Sequence, residues 1–248
     1  MVTETQNLKD LRSLLLLNIA DIEEKVLDSQ EVDKVNDLFN ADFKAEDFKF
    51  AVYQASDNLV NRSFQKWHIN TLQQIANQSV GIPIIFDHDW GTATQIIGFV
   101  YRTEVTKSAG IPEGYKQVQG YEEINRQIVA KEGLVTVDFY CAFPSFQTDL
   151  LNRINFRLLD SCSTGGCLDA IELICPNCSQ TFGRQINITE TDKNGEYICP
   201  HMIPYENKML NGVENKGMFA DYIELNGIYD SVELSLVLTG RLPQSKQK

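Results

Sequence analysis

Two short echoes, Ile174-Cys175-Pro176-Asn177-Cys178 and Ile198-Cys199-Pro200-His201, constrain this chain more than any other stretch. Each puts two soft or borderline ligands on one tight turn, Cys175 with Cys178 and Cys199 with His201. Four such groups from two turns suit a single tetrahedral zinc ion. With every position filled by protein, the site would be structural and closed, not catalytic. Between the turns, Ile186 and Ile188 followed by Asp192-Lys193-Asn194-Gly195 read as strand, turn and strand. The sequence therefore predicts a zinc ribbon over about 167–210. Cys162 and Cys167 are spare, either substitute ligands or buried thiols.

Clustered cysteines without a secretory leader read as metal ligands in a reducing compartment, not as a disulfide framework. Residues Met1 to Asp10 are polar and carry no basic n-region, and Leu14-Leu15-Leu16-Leu17 is far too short to cross a bilayer. The reading is of a protein without a membrane partner. With 34 acidic and 22 basic residues the net charge is −12. That balance argues against nucleic acid as the main partner, even though ribbons often bind it.

Taken in order, the chain opens with Leu8, Leu11, Leu15, Ile19, Ile22 and Val26, one apolar stripe of an amphipathic helix. Asp28 and Glu31 form a capping-box pattern that starts a second helix bearing Val32, Val35, Leu38 and Phe39. Residues 1–45 thus read as a helical extension, and 46–248 as the main domain.

From Phe48 the period changes to two. Phe48, Phe50 and Val52 form a strand broken at Ser56-Asp57-Asn58, and Asn70 is a plausible cap for a short helix carrying Leu72, Ile75 and Ala76. An apolar strand from Val80 to Phe86 ends at Asp87-His88-Asp89, and Ile96 to Thr106 is another strand. A helix from Glu122 to Lys131 stops at Gly133. Val135, Val137, Phe139 and Cys141 make a half-buried strand with Cys141 in the core. Thr148 to Ile154 is helical, and Val232 to Leu238 alternates as a closing strand. Dispersed strands with short helices and no βαβ rhythm favour an α+β fold around a mainly antiparallel sheet or barrel.

Three residues stand out for chemistry. His88 ends an apolar strand between two carboxylates and is the best candidate base, because His201 reads as a ligand and His68 sits in a polar loop. Ser163 precedes Thr164-Gly165-Gly166, where small residues allow close backbone approach and free N–H groups. Glu233 is a charge inside an apolar run, either a solvent-facing strand residue or the group that orients the histidine. Each is unremarkable alone.

Together and in this order they resemble the tailed-phage prohead maturation proteases. Gly81 to Asp89 followed by Ile97-Gly98-Phe99-Val100 is similar to the histidine segment of that family. Thr148-Asp149-Leu150-Leu151 through Cys162-Ser163-Thr164-Gly165 is similar to its helix and Ser-x-Gly nucleophile. Val232 to Val237 followed by Gly240 resembles its closing strand, and Asp57 to Arg62 its upstream loop. Some members share a Cys-x2-Cys and Cys-x-His insertion after the serine. Thr164-Gly165-Gly166 departs from the family's apolar-Gly-aromatic continuation, and Ser161 is a rival nucleophile.

The resemblance covers roughly 48–243 and implies a herpesvirus-protease-like β-barrel surrounded by helices. It implies a serine endopeptidase that cuts scaffold and capsid-protein segments inside the assembling prohead, in the host cytoplasm. Ser163 would be the nucleophile, His88 the base and Glu233 the third member, with Asp230 as fallback. Gly165 and Gly166 would supply oxyanion donors, and zinc would play a structural part only. An inactive virion or assembly protein with the same fold is the competing expectation, and homo-oligomerisation is left open.

Overall fold

A computed structural model describes residues 29–62, 64–89, 96–156, 158–159, 161–179, 181–182, 193–194 and 221–237. The helix expected over Leu8 to Val26, the Cys199-Pro200-His201 turn and the strand expected at Ile186 and Ile188 lie outside the described residues. The chain divides into two units, Met1–Ala45 and Glu46–Gln247. In the first, helix α1 spans Ser29–Phe39. Asn36 ends it with a two-way clasp: its side chain donates to the Phe43 carbonyl and accepts from the Phe43 N–H.

The second unit is α+β. Its strands are β1 (Phe48–Asp57), β2 (Gln65–Trp67), β3 (Pro83–Phe86), β4 (Gly98–Ser108), β5 (Leu134–Pro144), β6 (Ser161–Ile174), β7 (Thr181–Phe182) and β8 (Ile223–Val237). Three helices, α2 (Ile69–Gln78), α3 (Glu122–Glu132) and α4 (Thr148–Asn155), lie between them. One sheet joins the strands in the order β1-β5-β4-β3-β8-β6-β7, with β2 also on β8. Its pairs are antiparallel except β2 with β8 and β3 with β8. The order does not close on itself among the described residues, so the sheet is open where a barrel was expected. Side chains nevertheless reach between its separated members. Tyr53 Oη of β1 donates to the Leu159 carbonyl just before β6, and the Cys162 thiol contacts the Gln54 carbonyl.

The core is built from one face of this sheet and the apolar face of α2. Leu72 and Ile75 pack with Tyr53, Val137, Phe139, Ile84, Leu234 and Leu236, all fully or almost fully buried. Each such side chain removed from water stabilises the fold by about 1.5–3 kcal/mol. Cys141 and Cys162 belong to this core, and burial pushes both thiols well above their usual range. Among the described residues no helix is long and apolar enough to cross a membrane.

Several local expectations are corrected by long-range partners. β1 does not break at Ser56 but runs on through Asp57, with a bulge between Gln54 and Ser56. Asp57 is tolerated there because Leu59 N–H donates to one carboxylate oxygen and Tyr115 Oη to the other, both at 2.9 Å. The cap of α2 is His68, not Asn70: its Nδ1 accepts from the Asn70 N–H. β5, which lies between β1 and β4 in the sheet, is buried on both faces, Thr136 and Asp138 included. Lys66 of β2 is also buried, its ammonium 2.9 Å from Glu132 and 2.7 Å from Glu224, a pairing that ties α3 to β8.

The expected closing strand is the most extended. β8 runs fifteen residues, from Ile223 to Val237. β6 lines one edge along most of its length. On the other edge β2 pairs low down at Ile223 to Leu225, and β3 pairs higher up at Leu234 to Leu236. This central strand positions the site.

Candidate active site

Strand alternation sorts the residues of β6 and β8 into two faces. Cys162 opposes Leu236 and Thr164 opposes Leu234, and Cys162, Leu234 and Leu236 all belong to the apolar core. Ser163 opposes Ser235 and Gly165 opposes Glu233, so these four share the other face. Directly opposed Cβ atoms in such a pair lie about 4.5–5.5 Å apart. On the opposite edge of β8, Ile85 of β3 is in register with Ser235.

β3 delivers the histidine by an unusual turn. Asp87 and His88 both take left-handed backbone conformations, φ 46° and 58°. The Asp89 N–H donates to the Phe86 carbonyl at 2.8 Å, closing a turn of the type I′ kind. Asp and His enter this region more readily than most residues, yet such conformations persist only when surrounding contacts hold them. Two contacts do so here. Asp87 N–H donates to the Leu236 carbonyl at 3.1 Å, and His88 N–H donates to Ser235 Oγ at 2.9 Å.

The turn folds the imidazole onto Glu233. His88 Nδ1 lies 2.5 Å from Glu233 Oε1. Ser235 Oγ donates to Glu233 Oε2 at 2.7 Å. The histidine side chain is 44% exposed and the glutamate 2%. A buried carboxylate is costly unless its oxygens are satisfied, and here each has a donor. Because Glu233 accepts, Nδ1 carries the proton in the neutral ring. That leaves Nε2 as the bare nitrogen, the tautomer a general base needs.

Gly165 belongs to the same arrangement. A Cβ placed on it would lie 1.8 Å from Glu233 Oε1, so the carboxylate occupies space that only glycine leaves open. At Gly166 a Cβ would collide with the Tyr229 ring at 2.5 Å and the Asp230 carbonyl at 2.6 Å. Both glycines sit inside strand β6.

The other expected residues are placed as follows. Ser163 is half-buried and Ser161 buried, on one face of β6. Asp230, the fallback carboxylate, is exposed and opposes Cys167, which is exposed too; the carboxylate on His88 is that of Glu233. Cys175 and Cys178 lie on a turn at the tip of the hairpin made by the end of β6 and β7. The Ser179 N–H donates to the Cys175 carbonyl at 2.8 Å, and Ser179 is left-handed with φ 59°. Cys199 and His201 lie outside the described residues, and among those residues no three ligand-type side chains converge. Ser235 is a residue that the sequence reading assigns no role. Its spacing two residues from Glu233 on one strand face was the available signal.

Compared with protein-family models, curated proteins and solved structures, the chain matches none of them.

Proposed function

We propose that this chain is a serine endopeptidase of the prohead-maturation type, cutting scaffold and capsid-protein segments within the assembling shell. The observation that carries the reading is the 2.5 Å contact between His88 Nδ1 and Glu233 Oε1, made on the sheet face that also holds Ser163. In this reading Ser163 Oγ attacks the scissile carbonyl carbon while His88 Nε2 takes its proton. The tetrahedral adduct collapses, the C–N bond breaks, and the same proton passes to the leaving amine. Water then enters by the same route and frees the acyl group. Glu233 stabilises the imidazolium formed in each half-reaction. Oxyanion donors would be N–H groups of β6 near Gly165 and Gly166 that are not spent on β8, each worth about 3 kcal/mol if well aimed.

Two finer features accompany the proposal. The bonds from Tyr53 and Cys162 across the gap between β1 and β6 support a barrel-like, herpesvirus-protease-type architecture. The closed turn at Cys175 to Ser179 supports a zinc knuckle, since it offers two thiols from one tight loop. Cys199 and His201 would complete the ligand set, and zinc would brace the chain between Ser163 and Glu233.

One observation favours the competing reading, an assembly protein of this fold without catalysis. Ser163 stands within a regular ladder opposite Ser235, not on an exposed turn. The two readings separate in one experiment. The protein is co-expressed with its scaffold and capsid proteins, as wild type and as Ser163→Ala, and a fluorophosphonate probe is applied to both. Loss of cleavage and of labelling in a variant with unchanged circular dichroism is the expected result. Unchanged cleavage in Ser163→Ala, or a label found on Ser161, would sink the assignment.

A further inference from the structure

We propose that Ser235 is a positioning residue of this site, one hydroxyl that sets both the backbone of His88 and the carboxylate of Glu233. The proposal rests on the reading of His88 and Glu233 as base and orienting carboxylate. A serine hydroxyl has one proton and two lone pairs. Here the proton goes to Glu233 Oε2 at 2.7 Å, and a lone pair accepts the His88 N–H at 2.9 Å. With Ser235 0% exposed, water does not compete for either bond. His88 Nδ1 on Oε1 closes a ring of three contacts through three residues.

Register places Ser235 between the two halves of the site. On one edge it is aligned with Ile85, three residues before the base; on the other it is aligned with Ser163. It therefore holds the left-handed turn that carries His88 against the strand that faces the nucleophile. The second bond fixes the rotation of the Glu233 carboxyl group, so that Oε1 faces the ring and Oε2 does not. Without the hydroxyl, a buried carboxylate oxygen and a backbone N–H would both lose their partner. Each would seek another, and the imidazole would move with them.

The test uses Ser235→Ala and Ser235→Cys. The cysteine variant keeps the side-chain volume but offers only a weak donor and acceptor. In the active protein both variants are expected to lower kcat by roughly 10- to 100-fold, the scale of a small misplacement of a reacting group, with KM changed less than about twofold. A second readout does not depend on cleavage. In full-length protein carrying Ser163→Ala and 15N-labelled histidine, the His88 Nδ1–H resonance is expected to be resolved with Ser235 present. It should broaden into solvent exchange in either Ser235 variant. An unchanged His88 resonance, or unchanged kcat with raised KM, overturns the proposal. Should the alanine variant fail to fold, the cysteine variant decides alone. If the wild-type protein shows no Ser163-dependent cleavage, the functional reading fails while the resonance comparison still decides the role of Ser235.

Discussion

Gly165 and Glu233 stand opposite each other on β6 and β8, and the carboxylate of Glu233 fills the volume that a side chain on Gly165 would need. The pair is a steric lock as well as an electrostatic feature. The glycine matters for what it lacks, because even a methyl group at 1.8 Å from Oε1 would evict the carboxylate from the histidine.

Gly165→Ala is accordingly expected to lower activity at least as much as Ser235→Ala, and to destabilise the fold by about 1–3 kcal/mol through overpacking. The two residues should be coupled. In a Glu233→Ala background the added methyl has room, and its cost in urea denaturation should fall by more than half. Equal cost in both backgrounds would mean that the methyl clashes elsewhere.

Asp57 provides a pH-dependent test that does not involve His88 or Glu233. Burial pushes its carboxyl up from an ordinary 3.8 to about 6, against the opposing pull of the Leu59 N–H and Tyr115 O–H. A group that holds its proton more tightly when folded contributes stability below its unfolded pKa and loses it as pH rises through the folded value. The unmutated protein should therefore lose about 2 kcal/mol between pH 4 and pH 7 from this group. Asp57→Asn removes the titration, so its unfolding free energy should vary less over that window and exceed the wild-type value most at neutral pH. An unaltered slope in denaturant titrations across those pH values would show that Asp57 titrates normally.

The metal reading has a direct check. Cys175→Ser with Cys178→Ser should abolish bound zinc, measured by native mass spectrometry on full-length protein, and lower Tm by several degrees. A protein purified without chelator that carries no metal would remove the ribbon proposal. It would leave the reading of His88 and Glu233 untouched.

The elements that sequence patterns announce best are those whose signals are local. The α2 helix follows from its periodicity, the α3 helix from its stop at Gly133, and the strand that ends at Asp87-His88 from its apolar run. What was hidden depends on distant partners. Nothing near Asp57 in sequence reveals Tyr115, so a buried strand end looks like a loop. Nothing local shows why Gly165 and Gly166 sit in a strand: the Glu233 side chain takes the space beside the first, and the Tyr229 ring and Asp230 carbonyl take the space beside the second. His68 reads as a loop residue until its ring is seen to accept the Asn70 N–H. The Glu233 ambiguity resolves by burial: a charge at 2% exposure needs a partner, and His88 is that partner.

The position of β8 in the sheet has a consequence for how the site comes into being. β3 and β6 are not paired with each other; each reaches the other only through β8. The same strand carries both Glu233 and Ser235, and its parallel pairing with β3 bridges a long stretch of chain. Such non-local pairings form late and slowly, because the entropy of closing the loop is lost before contacts compensate it. Until β8 slots in, the histidine turn has no anchor and the serine strand has no neighbour on that edge. The contacts among His88, Glu233 and Ser235 therefore exist only in the completed sheet.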